Sequence, residues 1–465
     1  MILSTSGNQV WKMETYDIHV IPESDKVGRP MELFWLWLGA NLGILGILYG
    51  AIIVSYRLSF FQAVLAAALG ALSFAMVGYL SLAGRDGSAP MLMLSKKVFG
   101  AWGNLLPTLV SWLNLLGWET VTVITGALSL QAFLQSLFGI PASNGSLLAS
   151  IVMFALVAIA SGLLGQATIV VIQKIASWIF GLMTIVIIWQ LLGGASFQQT
   201  WTMPSGNWLT GFLPAVSIIV AGTSISWGNA AADYSRYQSR TVRSSSIFFA
   251  VTLGGALPLF ILMLTGILLV SRMPGLLVSA NPIVLIGNRL PTWMLSSYLF
   301  VAVGGLVTAA NVSLYSSGLN LVTLGIRIKR YKSILIDGAV MISLSAYILF
   351  VKQDFMNALI AFVSLLGIGL AAWEAVYMVD QWLVFSRNNW RLPWLKTAAW
   401  FSFVCGIVTG VLFTDSPIFH GPLANGIFAS NSLSVLVDFF VSGLLYVGFV
   451  FVALRRTRQH RRGLS

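Results

Sequence analysis

Twelve long apolar runs dominate this chain and leave it very few ways to fold. A helix that crosses the hydrocarbon core of a bilayer needs about 20 mostly apolar residues. Runs of that kind occupy 33–56, 59–83, 102–136, 146–166, 169–193, 211–235, 247–270, 295–325, 333–351, 355–379, 396–414 and 433–454. In lipid every backbone N–H and C=O must find its partner inside the protein, so such runs are helices. Only 9% of the residues are charged, whereas 57% are hydrophobic; soluble proteins carry about a quarter charged residues. The expectation is an all-α integral membrane protein with twelve transmembrane helices. Run 102–136 has the length of a tilted helix with an extension outside the bilayer.

The charges report topology. An even number of spans puts both termini on one side, and cytoplasmic segments of membrane proteins are enriched in Lys and Arg. With both termini in the cytoplasm, only Arg57, Arg272, Arg289 and Lys352 of the 26 basic residues fall outside the cytoplasmic segments and their edges. This bias predicts a multi-pass protein of the cell (cytoplasmic) membrane with both termini inside. It explains the net charge of +12 without nucleic acid as a partner. The polar stretch before Leu33 mixes acids with bases and does not read as a signal peptide. A single cysteine, Cys405, excludes a disulfide framework, and His19, His420 and His460 have no partner at metal-ligand spacing. The 14 acids are scattered, with no carboxylate pair inside a span, which argues against a membrane-embedded transferase that works on a metal or diphosphate. The stretch LGALSFAMVGYLSLAG lies inside a span and lacks the Lys-Ser or Lys-Thr ending of a nucleotide-binding loop. No enzyme chemistry and no cofactor are expected.

Polar residues and glycines interrupt two spans at mid-membrane. Span 1 carries LGANLGILG, with Gly39, Asn41, Gly43 and Gly46; span 6 carries AGTSISWGN, with Gly222, Thr223, Ser224, Ser226, Gly228 and Asn229. These are the first members of two five-span halves, and an odd number of spans per half inverts the second relative to the first. Paired interrupted helices in an inverted repeat mark a transporter site near the midplane. Backbone groups freed by an interruption are tolerated there only if they line a cavity or hold a ligand. The competing reading is close packing of helices through small residues.

Span 3 reads NLLGWETVTV. Trp118 and Thr122 are four apart and share a helix face; an indole beside a cavity offers a flat surface to a planar ring. Glu119 points about 100° away from Trp118. A carboxyl in lipid is costly and usually functional, so Glu119 is either a proton carrier or a protonated acid bonded to a neighbouring helix. Span 8 reads GGLVTAANVSLYSSGLN. Thr308, Asn311 and Tyr315 form one stripe, and Ala309, Ser313 and Ser316 another. Asn311 and Ser313 are about 200° apart on a regular helix, which cannot aim both at one ligand. The oxygens of this span suit a sodium ion or serve as polar glue between helices.

FWLWLGANL, KKVFGAWGNLLP, LLGWETV, AAADYSRY and NVSLYSSGLNLVTLG, spread from Phe34 to the last span, resemble the nucleobase–cation symporter family of purine–cytosine permeases and hydantoin and allantoin transporters. The resemblance implies a leucine-transporter-type fold: a first repeat over 33–193, an inverted repeat over 194–379 and two further helices over 380–454. Flanking these are an N-terminal tail, 1–32, and a basic tail, 455–465, both cytoplasmic. It implies an ion-coupled symporter that imports a small planar nitrogen heterocycle, such as a purine, pyrimidine, hydantoin or allantoin-like compound, by alternating access. The substrate-binding residues expected are Trp118, Thr122, Ser226, Trp227, Asn311, Ser313, Gly39 and Asn41, with Trp118 and Trp227 on either side of the ring. Thr308, Asn41 and Glu119 are the ion-coupling candidates, for a sodium ion or a proton. Thr122 stands where the purine–cytosine branch has an amide, and Ser313 where it has Asn. Both changes remove a bidentate partner for a pyrimidine edge and point away from cytosine. Asp233 and Arg236, at the end of span 6, are expected to fix a gate or loop or to form a simple ion pair. An amino-acid permease of the same fold is the alternative.

Overall fold

The computed structural model describes residues 7–193, 197–277, 279, 282–384, 393–429 and 433–462. Arg387 and Arg391, counted above with the inside residues, lie outside that set, as does the boundary placed at 194. Eleven helices of the described residues are long and apolar enough to cross a membrane, and one bent pair makes a twelfth span. Span 1 is that pair, Pro30–Asn41 and Leu45–Ser55, bent by 63°. Spans 2 to 7 are Phe60–Gly87, Leu105–Phe138, Asn144–Leu163, Gln166–Leu192, Trp208–Gly228 and Ser244–Val270. Spans 8 to 12 are Thr292–Thr323, Arg330–Lys352, Asn357–Leu383, Trp394–Phe413 and Leu433–Arg455.

The bend in span 1 follows from its sequence. Asn41 Nδ2 donates to the Trp37 carbonyl at 2.8 Å, one turn back, and so competes with the helical ladder. Gly43 follows with no atoms within 4 Å of where a side chain would start, so nothing holds the next turn in place. The helix resumes at Leu45.

Span 6 behaves differently from the expectation of an unwound stretch. It stays helical through the Gly-Thr-Ser segment but widens into a π-helical turn at Ala221–Ile225, a distortion often found at functional sites. Its hydroxyls take up carbonyls of the widened ladder: Thr223 donates to Ile219 at 2.6 Å and Ser226 to Ala221 at 2.6 Å. Tyr49 of span 1 donates to the Gly222 carbonyl at 3.0 Å. The interruption comes later, at Asn229 and Ala230, before a last short helix Ala231–Ser235.

The run read as 102–136 is span 3, a single helix of 34 residues, Leu105–Phe138. A separate helix, Met91–Gly103, precedes span 3 and is kinked at Gly100, where φ is +77°, a conformation that glycine adopts at little cost. Asn104 closes the corner by donating to the Leu92 carbonyl at 2.8 Å.

Spans 3 and 8 lie along each other more extensively than any other pair of helices. Span 7 packs on both halves of span 1. Gly50 and Gly266 face each other there, and a side chain on either would run into the backbone of the opposite helix. Spans 11 and 12 pack together against span 10, on the outside of this arrangement. The segment before Pro30 does not trail free. Trp11 N–H donates to Thr168 Oγ1 at 2.7 Å, and Asn8 Nδ2 to Gln166 Oε1 at 2.9 Å, so it crosses the start of span 5 on the face that carries both termini.

Candidate functional site

The bend of span 1 and the π turn of span 6 meet at a small cavity of about 60 Å³. Trp118 and Thr122 reach it from span 3, Asn41 and Tyr49 from span 1, Thr223 and Trp227 from span 6, and Ser313 from span 8. None of its lining residues is charged. Trp227 is held edge-on by Trp37, with ring centres 5.5 Å apart and planes at 75°. Trp37 is fully buried and braced in turn by Phe74 and Tyr234. Trp118 meets Phe362 of span 10 in the same edge-on way, at 5.5 Å. Both indoles are therefore fixed by other rings, and the Trp118 Nε1 donor is buried without a partner.

The hydroxyls at the rim have already spent their protons. Thr122 Oγ1 donates to the Glu119 carbonyl at 2.8 Å, and Ser313 Oγ to the Leu115 carbonyl at 3.2 Å. Each hydroxyl keeps lone pairs that accept. The Asn41 amide uses one of its two N–H groups on the Trp37 carbonyl. Thr122 and Ser313 thus offer acceptors to the cavity, and the donor on Trp118 is without a partner.

The other candidates stand behind the wall. Ser226 is turned to the Ala221 carbonyl, and its own carbonyl accepts from Asn114 Nδ2 at 3.2 Å. Gly39, Thr308 and Asn311 meet at the contact of spans 1, 5 and 8. Thr308 Oγ1 donates to the Gly39 carbonyl at 3.0 Å or to that of Gly305 at 2.7 Å. Gln173 of span 5 donates through Nε2 to the Thr308 carbonyl at 2.8 Å and to Asn311 Oδ1 at 3.0 Å. Asn311 therefore faces span 5, while Ser313 faces the cavity, as their angular separation on the helix requires. Glu119 is wholly buried behind Thr122, and neither of its oxygens has a hydrogen-bond partner.

Four contributors were missed in the sequence. Tyr49 and Thr223 line the cavity, and Gln173 joins the oxygens of spans 1 and 8. Asp337 of span 9 sits near Glu119. Gln173 and Asp337 carried a readable signal, a polar group inside an apolar run. The acids are scattered along the chain, yet the packing of span 9 on span 3 brings these two together.

The two faces of the molecule differ. Toward the face away from the termini, Leu45, Tyr49 and Trp118 also border a larger apolar hollow of about 250 Å³ that reaches Ile52 and Tyr56 at the end of span 1 and Leu359 of span 10. On the terminal face the way is shut. Arg236, after span 6, pairs with Glu14 of the N-terminal segment at 2.5 Å rather than with Asp233. Tyr237 and Tyr315 also donate to the Glu14 carboxylate, Tyr315 at 2.8 Å. Burial pushes the Glu14 carboxyl up, but the guanidiniums of Arg236 and Arg330 and the two phenols outweigh it and hold it below the usual range. Asp233 instead accepts from the Met91 N–H at 2.8 Å and so fastens helix Met91–Gly103 to the end of span 6.

Residues 20–419 match the family described as permease for cytosine/purines, uracil, thiamine, allantoin. YxlA of Bacillus subtilis (strain 168), which bears the name of a purine-cytosine permease, is 27% identical over 98% of this chain and 99% of its own. Among solved structures, the chain is similar to Mhp1, a nucleobase-cation-symport-1 family transporter in a closed conformation with bromovinylhydantoin bound. The TM-score is 0.72 at 16% identity, covering 98% of this chain and 97% of that one. A Na+-coupled sialic acid symporter in a substrate-bound outward-open state gives a TM-score of 0.66 at 12% identity, over 92% of this chain and 91% of that one. The chain belongs to the nucleobase–cation symporter family, and it is a secondary transporter with the leucine-transporter-type arrangement of two five-helix repeats and two further helices rather than an enzyme.

Proposed function

We propose that this transporter is an ion-coupled symporter that imports a small planar nitrogen heterocycle and holds it between Trp118 and Trp227. The observation that carries the reading is that these two braced indoles line one uncharged cavity between the bend of span 1 and the π turn of span 6. Stacking on an aromatic face contributes roughly 1–3 kcal/mol per base. Thr122, Ser313 and Asn41 then read the edge of the ring.

Because Thr122 and Ser313 have their only protons engaged, the edge they favour is one that donates N–H, with a carbonyl directed at Trp118 Nε1. Imide and ureide rings of the hydantoin and allantoin kind present that pattern. The face of cytosine with adjacent donor and acceptor atoms calls for a side-chain amide, which Thr122 and Ser313 do not supply.

With both termini in the cytoplasm, the open hollow faces outward and the Glu14–Arg236 pair closes the inward side. Import then requires that pair to part as the outer hollow closes, which is alternating access about a fixed midplane site.

A thermal-shift panel of purines, pyrimidines, hydantoins, allantoin and vitamin-like heterocycles, each with sodium chloride and with choline chloride, tests the reading. A ligand that binds the folded state raises Tm by mass action. Hydantoins or allantoin are expected to raise it and cytosine to leave it unchanged. No shift with any ring of the panel, set against a shift with zwitterionic amino acids, would contradict it.

A further inference from the structure

The cavity and the outer hollow have a common wall. Leu45, Tyr49 and Trp118 border both spaces and so form the partition between them. The three are held in different ways. Leu45 opens the second half of span 1, directly after the bend. The Trp118 indole is braced edge-on by Phe362, which itself lies against the backbone at Gly117. Tyr49 is one turn beyond Leu45 on the same helix face. Its phenol reaches across to span 6 and donates to the Gly222 carbonyl at 3.0 Å.

That acceptor belongs to the π turn. A π turn pairs residues five apart, and the change of register at its ends leaves carbonyls short of an ordinary helical partner. Three hydroxyls serve carbonyls here: Thr223 donates to Ile219, Ser226 to Ala221 and Tyr49 to Gly222. Thr223 and Ser226 are part of span 6 and hold the shape of the turn from within. Tyr49 is the one of the three that comes from another span, so its bond ties the bend region of span 1 to the turn.

Glycine at 222 is what makes room for the bond. The first carbon of any side chain there would lie 2.5 Å from the Tyr49 hydroxyl and 3.0 Å from the ring carbon that bears it. The phenol is the far end of a side chain, so it would swing away from the carbonyl while the backbone stayed in place. The turn also has a separate anchor. Ser73 Oγ of span 2 lies 2.7 Å from Ser224 Oγ, so the turn stays tied when Tyr49 lets go.

From these contacts we infer that Tyr49 is the outer gatekeeper of the cavity, a positioning residue whose ring closes the way in from the hollow and whose hydrogen bond to Gly222 latches it shut. The inference rests on the symporter reading and names the group that admits substrate to the site. A planar ring that passes from the hollow to Trp118 and Trp227 must cross the partition. Tyr49 is the member of that partition held by one hydrogen bond. A single neutral hydrogen bond contributes only modestly to net stability, which suits a latch that opens in every cycle. The hydroxyl is lost without the ring in Tyr49→Phe, and it is displaced without being lost in Gly222→Ala, so the two substitutions break the same bond from opposite sides.

Labelling of intact cells that carry the full chain tests the latch, with a small membrane-impermeant thiol reagent and a Cys405→Ser background. Ile52→Cys reports the hollow, and Ala309→Cys reports the cavity, which it lines without bordering the hollow. Ile52→Cys is expected to react readily, at a rate that Tyr49→Phe and Gly222→Ala leave unchanged. Ala309→Cys is expected to react slowly by itself and several-fold faster with either substitution. Because both act on one bond, the two together are expected to give no further gain. Three results would overturn the inference: an Ala309→Cys rate that neither substitution changes, a combined gain equal to the product of the single gains, or a parallel rise at Ile52→Cys that marks general loosening. No transported compound enters these readouts, so their failure is distinct from failure of the heterocycle reading.

Discussion

Arg236 Nη2 lies 2.5 Å from Glu14 Oε1, with both side chains fully out of solvent. The contact joins a residue before the first span to the end of span 6, and Tyr315 of span 8 binds both partners. A buried pair of this kind is weak evidence for overall stability, because desolvation offsets much of the attraction. Its consequence is positional: the N-terminal segment, the end of span 6 and span 8 are tied at one carboxylate.

Removing one partner should therefore loosen the terminal face. Arg236→Met leaves Glu14 buried without its cation, which costs about 3–5 kcal/mol. Hydrogen exchange of residues 7–29 should rise sharply, with a smaller rise in Glu14→Gln. The acid dependence follows from the depressed folded pKa of Glu14. Its contribution is fully present above the unfolded value and is lost as pH falls through the folded one. The same exchange should therefore quicken only in acid, and Glu14→Gln should remove that acid step.

Gln173 supplies the second prediction. Gln173→Ala removes the amide that engages the Thr308 carbonyl and Asn311 Oδ1. Those oxygens, with the Gly39 carbonyl, then become free to bind a hard cation. The unmodified protein should show the same Tm in sodium and choline chloride, whereas the variant should gain a sodium-specific rise. Saturation at a hundred times Kd corresponds to about 2.7 kcal/mol.

The cavity edge supplies the third. Thr122→Asn together with Ser313→Asn restores carboxamides that pair with adjacent donor and acceptor atoms. Cytosine binding should rise roughly five- to hundredfold, as expected for about 1–3 kcal/mol per satisfied buried group. Binding of the native ring should fall. Competition titrations on the wild type and the double variant measure both changes.

The fourth concerns packing. Gly266→Val places a branched side chain against the Ile47 carbonyl and Gly50 of span 1. Overpacking of this sort costs about 1–3 kcal/mol, and here the obstacle is backbone. The melting temperature in detergent should drop, and Gly266→Ala should drop it less.

The spans were legible because lipid forces a long, continuous apolar signal, and the polar interruptions in spans 1 and 6 pointed to the place where the cavity lies. The manner of interruption was not legible. Asn41 and Gly43 break span 1, while in span 6 the hydroxyls of Thr223 and Ser226 sustain a π turn that no periodicity announces. The angular argument for span 8 separated Asn311 from Ser313, and the structure turns them to different neighbours. Two partners were hidden by distance along the chain. Glu14 meets Arg236 and Asp337 comes near Glu119 only through tertiary packing, and nothing local to either acid names the other. The corner at Gly100 lies before the apolar run of span 3, and only its positive φ marks it.

Stacking between Trp118 and Trp227 is the centre of the account, and equilibrium binding of a hydantoin or allantoin that passes the thermal-shift panel tests it most directly. Isothermal titration of the wild type, Trp118→Phe and Trp118→Ala should give a graded loss, with the alanine variant weaker by about 1–3 kcal/mol, roughly five- to hundredfold in Kd. Phenylalanine should retain part of the affinity. Unchanged binding in Trp118→Ala would contradict the account and place the substrate elsewhere.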